Sequence, residues 1–393
     1  MRARPLTLVP FLFVGCSNPG CACAPSTEAP ATSATSGTEA MPPADYEVHE
    51  WGLLRAQRDG SADVLRAGAI APARPVEVMA VDKPVLYFHS SQPRTLRLVS
   101  AAVEGGTILE SWPFVEAHAR SGGAEIAWTD VRLGSPAECE PSPLPTQGTL
   151  PCSLLAGAYC ESIGLATVRT TEAACVTTGG VTDRFLFYRA QSHTFTPPLR
   201  FARAEIHEDV RVTNDGDHPI PGVIVRIWSD GTRTRTLVAG PPAPHESVVI
   251  GHAFDEAVAG AGADRPVAVD RLSMDESLPA PSVTGPGRDG IRRTMREIGL
   301  TDAEADAFFA AWDATLFGGA NADAGAVTNS PADVLTDDSR GGDGERAPRE
   351  SLLYFLPEPS TDRVATLRFD PPPRAVHRAL AIWTAIRASG EGH

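Results

Sequence analysis

Apolar and polar residues alternate along much of the chain from Tyr46 onward, which is the period of a β-strand with one face in a core. In TLRLVS (95–100), for example, Leu96 and Leu98 alternate with Thr95 and Arg97 before Val99 and Ser100. Similar short runs, bounded by Gly, Pro and Ser, indicate further strands. The predicted strands are VLYFHS (85–90), TLRLVSAAV (95–103), GTILESW (106–112), EIAWTDVRL (125–133), RFLFYRA (184–190), LRFARAEIHEDVRVTN (199–214), GVIVRIWS (222–229), TRTLVAG (234–240) and SVVIGHAF (247–254). Such spacing predicts a mainly β fold with sandwich-like packing of two sheets.

The segment NDGDHPIPG joins two of these runs, and its Asp215-Gly216 dipeptide is typical of a tight turn. We therefore predict a hairpin over residues 213–222. A calcium site built from Asn214, Asp215 and Asp217 is the alternative, although the twelve-residue spacing of a calcium loop is missing.

Residues 288–318 change to helical spacing and predict a pair of helices. Gly299 ends the first helix, and Thr301 with Glu304 forms a capping box for the second. The apolar face of the second helix consists of Ala305, Phe308, Phe309, Trp312 and Leu316. Because no basic face accompanies this pair, it predicts a helical hairpin packed on the sandwich and not a DNA-reading motif.

The last part of the body continues this pattern after an interruption. Residues 319–347 are small, polar and acidic, and predict a disordered loop. SLLYFLP (351–357) and RVATLRF (363–369) predict two more strands. The final segment, PPPRAVHRALAIWTAIR (371–387), predicts a helix that begins just after its prolines.

The first residues have the features of an export signal. Arg2 and Arg4 precede the apolar run LTLVPFLFV, which is too short to span a bilayer. A metal site formed by the nearby cysteines lacks a fourth ligand at zinc-like spacing. The sequence FVGC resembles the bacterial lipoprotein signal, which implies that Cys16 is lipidated and becomes the first mature residue. The resemblance also implies, from Ser17, that acyl chains anchor the protein in the outer membrane, facing the periplasm or the surface.

These observations divide the chain into five parts. Residues 17–45 are rich in Ser, Thr, Ala and Pro and cannot bury enough apolar surface to fold, so they predict a disordered tether. The body that follows is long enough for one large domain or two. The predicted parts are a signal peptide (1–15), a disordered tether (16–45), an N-terminal β segment with a disulfide-rich loop (46–182), a second β-sandwich segment (183–287), and a helical hairpin with the loop and closing elements (288–393).

The charge of the chain limits its partners. The formal net charge is −15, and removal of the two signal arginines leaves 32 basic and 49 acidic residues, or −17. An acidic chain without a basic block argues against nucleic acid, for which Lys and Arg supply the affinity. It also argues against adhesion to anionic lipid headgroups, so the acyl chains would provide the membrane contact.

Four cysteines lie in the body: Cys139, Cys152, Cys160 and Cys175. In an exported protein this number indicates two disulfides, and the gaps match no paired C-x-x-C metal pattern. Three pairings are possible; we favour Cys139–Cys152 with Cys160–Cys175.

Several phrases occur together in this order: YEVHEWGLL, KPVLYFHS, ILESWP, IAWTDV, DRFLFYR, GLTDAEADAFFAAWDATLF and LLYFLP. They resemble a family of exported bacterial proteins found mostly in myxobacteria and related groups, over residues from about Tyr46 to Phe369. The resemblance implies an exported protein with a single body and implies no activity.

Two His-Glu dipeptides are the first candidates for chemistry, His49-Glu50 and His207-Glu208. A histidine beside a carboxylate can act as an acid/base pair, and two such pairs facing one pocket could hold a divalent metal. Neither dipeptide has the second histidine of a His-Glu-x-x-His motif. The alternative is that adjacent strand residues point to opposite faces, so that the members of each pair are separated.

Other residues offer weaker candidates. Lys83 is the one lysine of the chain and would be a catalytic amine if it were desolvated. Trp112, Trp128 and Trp228 could form a carbohydrate or peptide platform, although tryptophans on strands are more often core residues. The sequence contains no serine-hydrolase elbow, phosphate loop or dinucleotide fingerprint.

We therefore expect a lipid-anchored envelope lipoprotein that acts as a binding or structural module for an unknown protein or polymer, with no cofactor and no metal. The alternative is a hydrolase of envelope or extracellular polymer, with metal assistance as one mechanism and His49, Glu50 and His207 as its site.

Overall fold

The computed structural model describes residues 44–58, 77–146, 161–203, 209–229, 234–251, 286–317 and 350–386. Most of these residues lie in strands, which confirms the mainly β prediction. The strands are β1 Ala44–Arg58, β2 Glu77–Ser90, β3 Arg94–Glu104, β4 Gly106–Trp112, β5 His118–Arg120, β6 Gly123–Gly134, β7 Cys175–Thr178, β8 Val181–Asp183, β9 Leu186–Ser192, β10 Leu199–Arg203, β11 Val210–Asn214, β12 Ile224–Ser229, β13 Thr234–Ala239, β14 Ser247–Ile250, β15 Glu350–Phe355, β16 Thr366–Asp370 and β17 Pro373–Ala385. The helices are α1 Pro286–Ile298, α2 Asp302–Phe317 and α3 Glu358–Val364, with 3-10 segments at Pro136–Glu138 and Glu161–Val168.

The strands form three sheets. The largest has eight strands in the order β13-β12-β15-β17-β1-β2-β9-β4. A second has the order β16-β3-β6-β7-β8, with β5 paired to β6, and a third has the order β10-β11-β14. The eight strands of the large sheet come from all three predicted segments of the body, so these segments share one sheet.

The large sheet separates two hydrophobic cores. Val48, Leu86 and Phe88 face the two smaller sheets and form a sandwich-like core with residues such as Trp128 and Val212. On the other face, side chains of the same strands, among them Trp51, Tyr87 and Ala379, pack against α1 and α2. Adjacent residues of a strand point to opposite faces, so each central strand contributes to both cores.

The helical hairpin agrees with the sequence prediction. α1 ends at Ile298, and Gly299 follows with a φ of 114°. The capping box is present, since the backbone N–H of Thr301 donates to Oε2 of Glu304 at 2.8 Å, and that of Glu304 donates to Oγ1 of Thr301 at 3.2 Å. A local pattern of residue types therefore specified this turn correctly.

The predicted closing helix is wrong. Residues Pro373–Ala385 form strand β17, which pairs parallel to β1 and antiparallel to β15. Residues 378–382 are all buried because the strand lies between two neighbours and is covered on both faces. A short, continuously apolar run is compatible with either a buried strand or a buried helix, and here the neighbouring strands decide.

The predicted hairpin over 213–222 is also wrong. The turn itself forms, with Oδ1 of Asn214 accepting from the N–H of Gly216 at 3.0 Å. However, β11 pairs with β10 and β14, whereas β12 pairs with β13 and β15. The turn therefore carries the chain from one sheet to another.

One disulfide joins Cys139 to Cys175, so the favoured pairing of Cys139 with Cys152 and Cys160 with Cys175 is wrong. This bond attaches the loop after β6 to the start of β7, which pairs with the end of β6. Cys152 and Cys160 lie outside the described residues, as do the signal, the tether, Cys16 and the loop 319–347. Among the helices of the described ranges, none is long and apolar enough to cross a membrane.

Candidate functional site

Three central strands, β1, β2 and β17, bring three histidines and a glutamate to one face of the large sheet. His49 of β1 lies opposite His377 of β17 in the parallel register. Glu47, two residues before His49 and therefore on the same face, lies opposite His89 of β2. The imidazole ring of His49 lies 4.2 Å from that of His89 and 5.1 Å from that of His377, measured between ring centroids.

A second glutamate approaches this face from the first turn of α2. Oε2 of Glu304 lies 2.8 Å from Nδ1 of His49, and Oε1 lies 2.8 Å from Nε2 of His89. An ionised carboxylate only accepts hydrogen bonds, so both ring nitrogens donate. Because Glu304 is also the capping-box glutamate, the same carboxylate begins the helix and orients the two imidazoles.

Glu304 is charged although its side chain is fully buried. Burial by itself would raise its pKa, but the hydrogen bonds from His49 and His89 and the backbone N–H of Thr301 outweigh it and lower the pKa to about 2. The site therefore contains a fixed negative charge beneath the histidines.

His377 is held by the turn between the two helices. Its Nδ1 donates to the carbonyl oxygen of Ile298 at 2.9 Å. Gly299 leaves the space for this ring, because a Cβ added there would lie 2.5 Å from Nδ1 of His377. With Nδ1 carrying the proton, Nε2 of the neutral ring has the free lone pair.

Glu47, His49 and His377 form a group whose ligand atoms lie close enough together to hold one metal ion. One ligand atom from each lies within 4.8 Å of the other two. Nε2 of His49 is 3.9 Å from Oε2 of Glu47 and is buried without a hydrogen-bond partner among the described residues. Since buried polar atoms normally have partners, this nitrogen marks a position at which one is expected.

Glu47 is itself oriented by a neighbour. Nη2 of Arg374 donates to its Oε1 at 2.7 Å and Nε donates to the same oxygen at 3.2 Å. This hydrogen bonding lowers the pKa of Glu47, so the carboxylate is ionised, and it leaves Oε2 for the site. Each of the three side chains thus has a second partner that fixes its orientation.

His49, His89 and Glu304 form a second group whose ligand atoms also lie within 4.8 Å. Here the atoms already satisfy one another, because Glu304 accepts from both rings. We therefore interpret this group as the support for the first one.

An open pocket of about 440 Å³ adjoins the group. Glu47 and His89 line it, so the group borders this pocket through the carboxylate of Glu47. The other lining residues include Asp45, Ser90, Glu172 and Arg374.

His49 and Glu50 point to opposite faces of β1. This is the outcome that the alternation of side chains along a strand predicted. Glu50 lies on the opposite face of β1, fully buried, and accepts from Nε of Arg378 at 2.5 Å and from the hydroxyl of Tyr188 at 2.8 Å. Arg378 also donates to Asp362 at 2.8 Å. This network lies on the sandwich-core face of the large sheet, opposite to the histidine cluster.

The other predicted residues do not join the cluster within the described part of the chain. The backbone of Lys83 lies in β2, and its side chain is outside the described part. His207 and Glu208 lie outside the described residues. Trp112 and Trp128 are buried and donate to Asp183 and to the carbonyl of Pro113, so both are core residues and not a platform.

Sequence reasoning identified His49 and missed His89, His377 and Glu47 as its partners. Two signals were available: Glu47 and His49 have the i, i+2 spacing of one strand face, and His89 and His377 interrupt apolar runs. The wrong helix assignment for β17 concealed His377. Glu304 had been assigned as a helix cap, and its second role depends on the tertiary packing.

Comparison with protein-family models, with curated proteins and with solved structures finds no match to this chain. The resemblance to a family of exported proteins therefore stays a prediction.

Proposed function

We propose that this protein is a lipid-anchored envelope protein whose folded body binds a divalent transition-metal ion through Glu47, His49 and His377. The observation that carries the proposal is the arrangement of their ligand atoms, which lie within 4.8 Å of one another. A bound ion would supply the missing partner of Nε2 of His49.

The surroundings of the three ligands support the proposal. Metal-binding histidines usually donate their other ring N–H to a carboxylate or a backbone carbonyl, and metal-binding carboxylates are hydrogen-bonded in turn. His49 donates to Glu304, His377 donates to Ile298, and Glu47 accepts from Arg374. All three have such a partner.

The types of ligand favour zinc or a neighbouring transition metal over calcium or magnesium. Two imidazole nitrogens and one carboxylate oxygen suit zinc, iron, cobalt or nickel, whereas calcium and magnesium bind oxygen ligands. Two carboxylates close to the ion, those of Glu47 and Glu304, offset the charge of a divalent cation.

The anchor is the second part of the proposal, and the N-terminal sequence supports it. An apolar run ends in FVGC, and a Ser/Thr/Ala/Pro-rich tether separates Cys16 from the first strand. A Cys16→Ala variant should lose incorporation of a labelled fatty acid and move from the membrane fraction to the soluble fraction. Retention of label by this variant would contradict the assignment of Cys16.

Isothermal titration of the disulfide-oxidised full-length protein with Zn²⁺ tests the metal site. The wild-type protein should bind one Zn²⁺ ion with a higher affinity than any further Zn²⁺ ion. His49→Ala and His377→Ala should each lower the affinity for that first ion at least about 100-fold. His193→Ala is the matched control, because His193 is an exposed histidine away from the cluster and should have no effect. Equal affinities in all four proteins would show that the cluster is a hydrogen-bond network only.

A further inference from the structure

We propose that this metal site hydrolyses amide bonds in neutral or positively charged substrates, with His89 as the general base. The inference rests on the metal binding proposed above. Three protein ligands, two histidines and a glutamate, are the set found in catalytic zinc sites that keep a fourth position for water. A zinc ion lowers the pKa of such a water to about 7.

His89 has the position and the support of a general base. Its ring lies 4.2 Å from that of the ligand His49, and its side chain is 21% exposed where it lines the pocket. Nε2 donates to Glu304 at 2.8 Å, which leaves Nδ1 to accept a proton. A buried carboxylate that orients an imidazole and stabilises its protonated form is the arrangement that nucleophilic hydrolases use. Glu304 is thus a positioning residue, and His89 is the proposed catalytic residue.

The charges around the pocket select the class of substrate. Asp45, Glu47 and Glu172 contribute three carboxylates, and Arg374 contributes one guanidinium that is already paired with Glu47 and Asp45 at 2.7 and 3.4 Å. The carboxylates of Glu47 and Glu304 offset the two charges of the bound ion, so Asp45 and Glu172 against Arg374 leave one net negative charge at the pocket. This charge disfavours phosphate esters and other anions and favours cations. Because the pocket is open, a segment of a longer chain can lie across it. A peptide that contains basic residues is such a chain and also carries the positive charge that the pocket favours.

The reaction balances without a further reactant. A bound ion would make a water molecule more acidic; that water would give one proton to Nδ1 of His89, and its oxygen would form a bond to the amide carbonyl carbon. The C–N bond then breaks, and the proton passes from His89 to the departing nitrogen. One water and one amide become one carboxylic acid and one amine.

The test uses the zinc-loaded full-length protein and a fluorogenic peptide library with basic, neutral or acidic residues beside the scissile bond. We expect cleavage of basic and neutral peptides. His89→Gln, which keeps a donor to Glu304 but accepts no proton at this pH, should lower kcat at least about 100-fold while Zn²⁺ affinity stays within about threefold. His193→Gln should match the wild-type protein in both measurements.

The outcomes separate this inference from the metal site itself. Zinc binding without cleavage of any peptide would overturn hydrolysis and leave the metal-binding proposal intact. Equal cleavage by His89→Gln would overturn the role of His89, and faster turnover of bis(p-nitrophenyl) phosphate than of the peptides would overturn the substrate class. Absence of zinc binding would overturn both proposals together.

Discussion

Nδ1 of His49 lies 2.8 Å from Oε2 of Glu304, although the two residues are 255 positions apart. The contact joins β1, one of the central strands of the large sheet, to the first turn of α2. Because the same carboxylate caps the helix and receives a second imidazole, the packing of the helical hairpin and the geometry of the histidine cluster depend on one side chain.

Acid should destabilise the metal-free protein through this carboxylate. The pKa of Glu304 is about 2 in the folded protein, against an ordinary value of 4.5. The stabilisation is therefore fully present above about pH 4.5 and is lost as the pH falls toward 2. A pKa difference of this size corresponds to up to about 3 kcal/mol in the free energy of unfolding. Urea unfolding in EDTA between pH 6 and pH 3 measures it. Glu304→Gln should have a shallower pH dependence than the wild-type protein, and an identical dependence would refute this role.

Gly299→Ala should damage both stability and metal binding. The new Cβ would lie 2.5 Å from Nδ1 of His377 and would require an L-residue at a φ of +114°. Gly122→Ala is the control, because its φ of +85° imposes backbone strain while no atom lies within 4 Å of the new Cβ. We expect a loss of about 1–2 kcal/mol for the control. Gly299→Ala should lose more and should also bind Zn²⁺ at least about 10-fold more weakly, whereas similar affinities in both variants would count against the packing of His377 on this turn.

Arg378→Met should destabilise the sandwich core without affecting the metal site. The substitution leaves Glu50 fully buried without its cationic partner, and removal of one member of a buried ion pair costs about 3–5 kcal/mol. The matched control is Arg97→Met, which breaks an exposed pair with Asp370 and should change the free energy of unfolding by less than about 1 kcal/mol. Chemical denaturation measures both variants. Equal effects would mean that the buried network contributes no more than a surface pair.

Cys175→Ser should lower stability by removing the link to Cys139. The two cysteines are 36 positions apart, and closing a loop of that length in the unfolded chain corresponds to about 4 kcal/mol. Thermal unfolding of the variant and of the wild-type protein, with and without reductant, measures the effect. Reductant should lower the Tm of the wild-type protein much more than that of the variant, and an unchanged wild-type Tm would argue against this disulfide.

Features encoded by neighbouring residues could be predicted from the sequence. Most strands, the helical hairpin and the capping box of Thr301 and Glu304 depend on local periodicity and hydrogen bonding. Features that depend on partners far along the chain could not be predicted. The strand β17 contains a buried apolar run that fits either structure, and only its pairing with β1 and β15 settles it.

The candidate site illustrates the same limit. His49 was predicted, and its separation from Glu50 follows from the alternation of side chains along a strand. The register that places His377 beside His49, and the packing that brings Glu304 to both His49 and His89, are properties of the tertiary structure. The positions of these histidines along the chain do not by themselves indicate which of them the strand register brings together.

X-ray absorption spectroscopy of the zinc-loaded full-length protein tests the central claim most directly, because it counts the ligands of the ion. We predict two imidazole nitrogens and light oxygen ligands at about 2.0–2.2 Å, with one imidazole lost in His377→Ala. A shell that contains sulfur or only oxygen, or a spectrum that the variant leaves unchanged, would contradict a metal site formed by Glu47, His49 and His377.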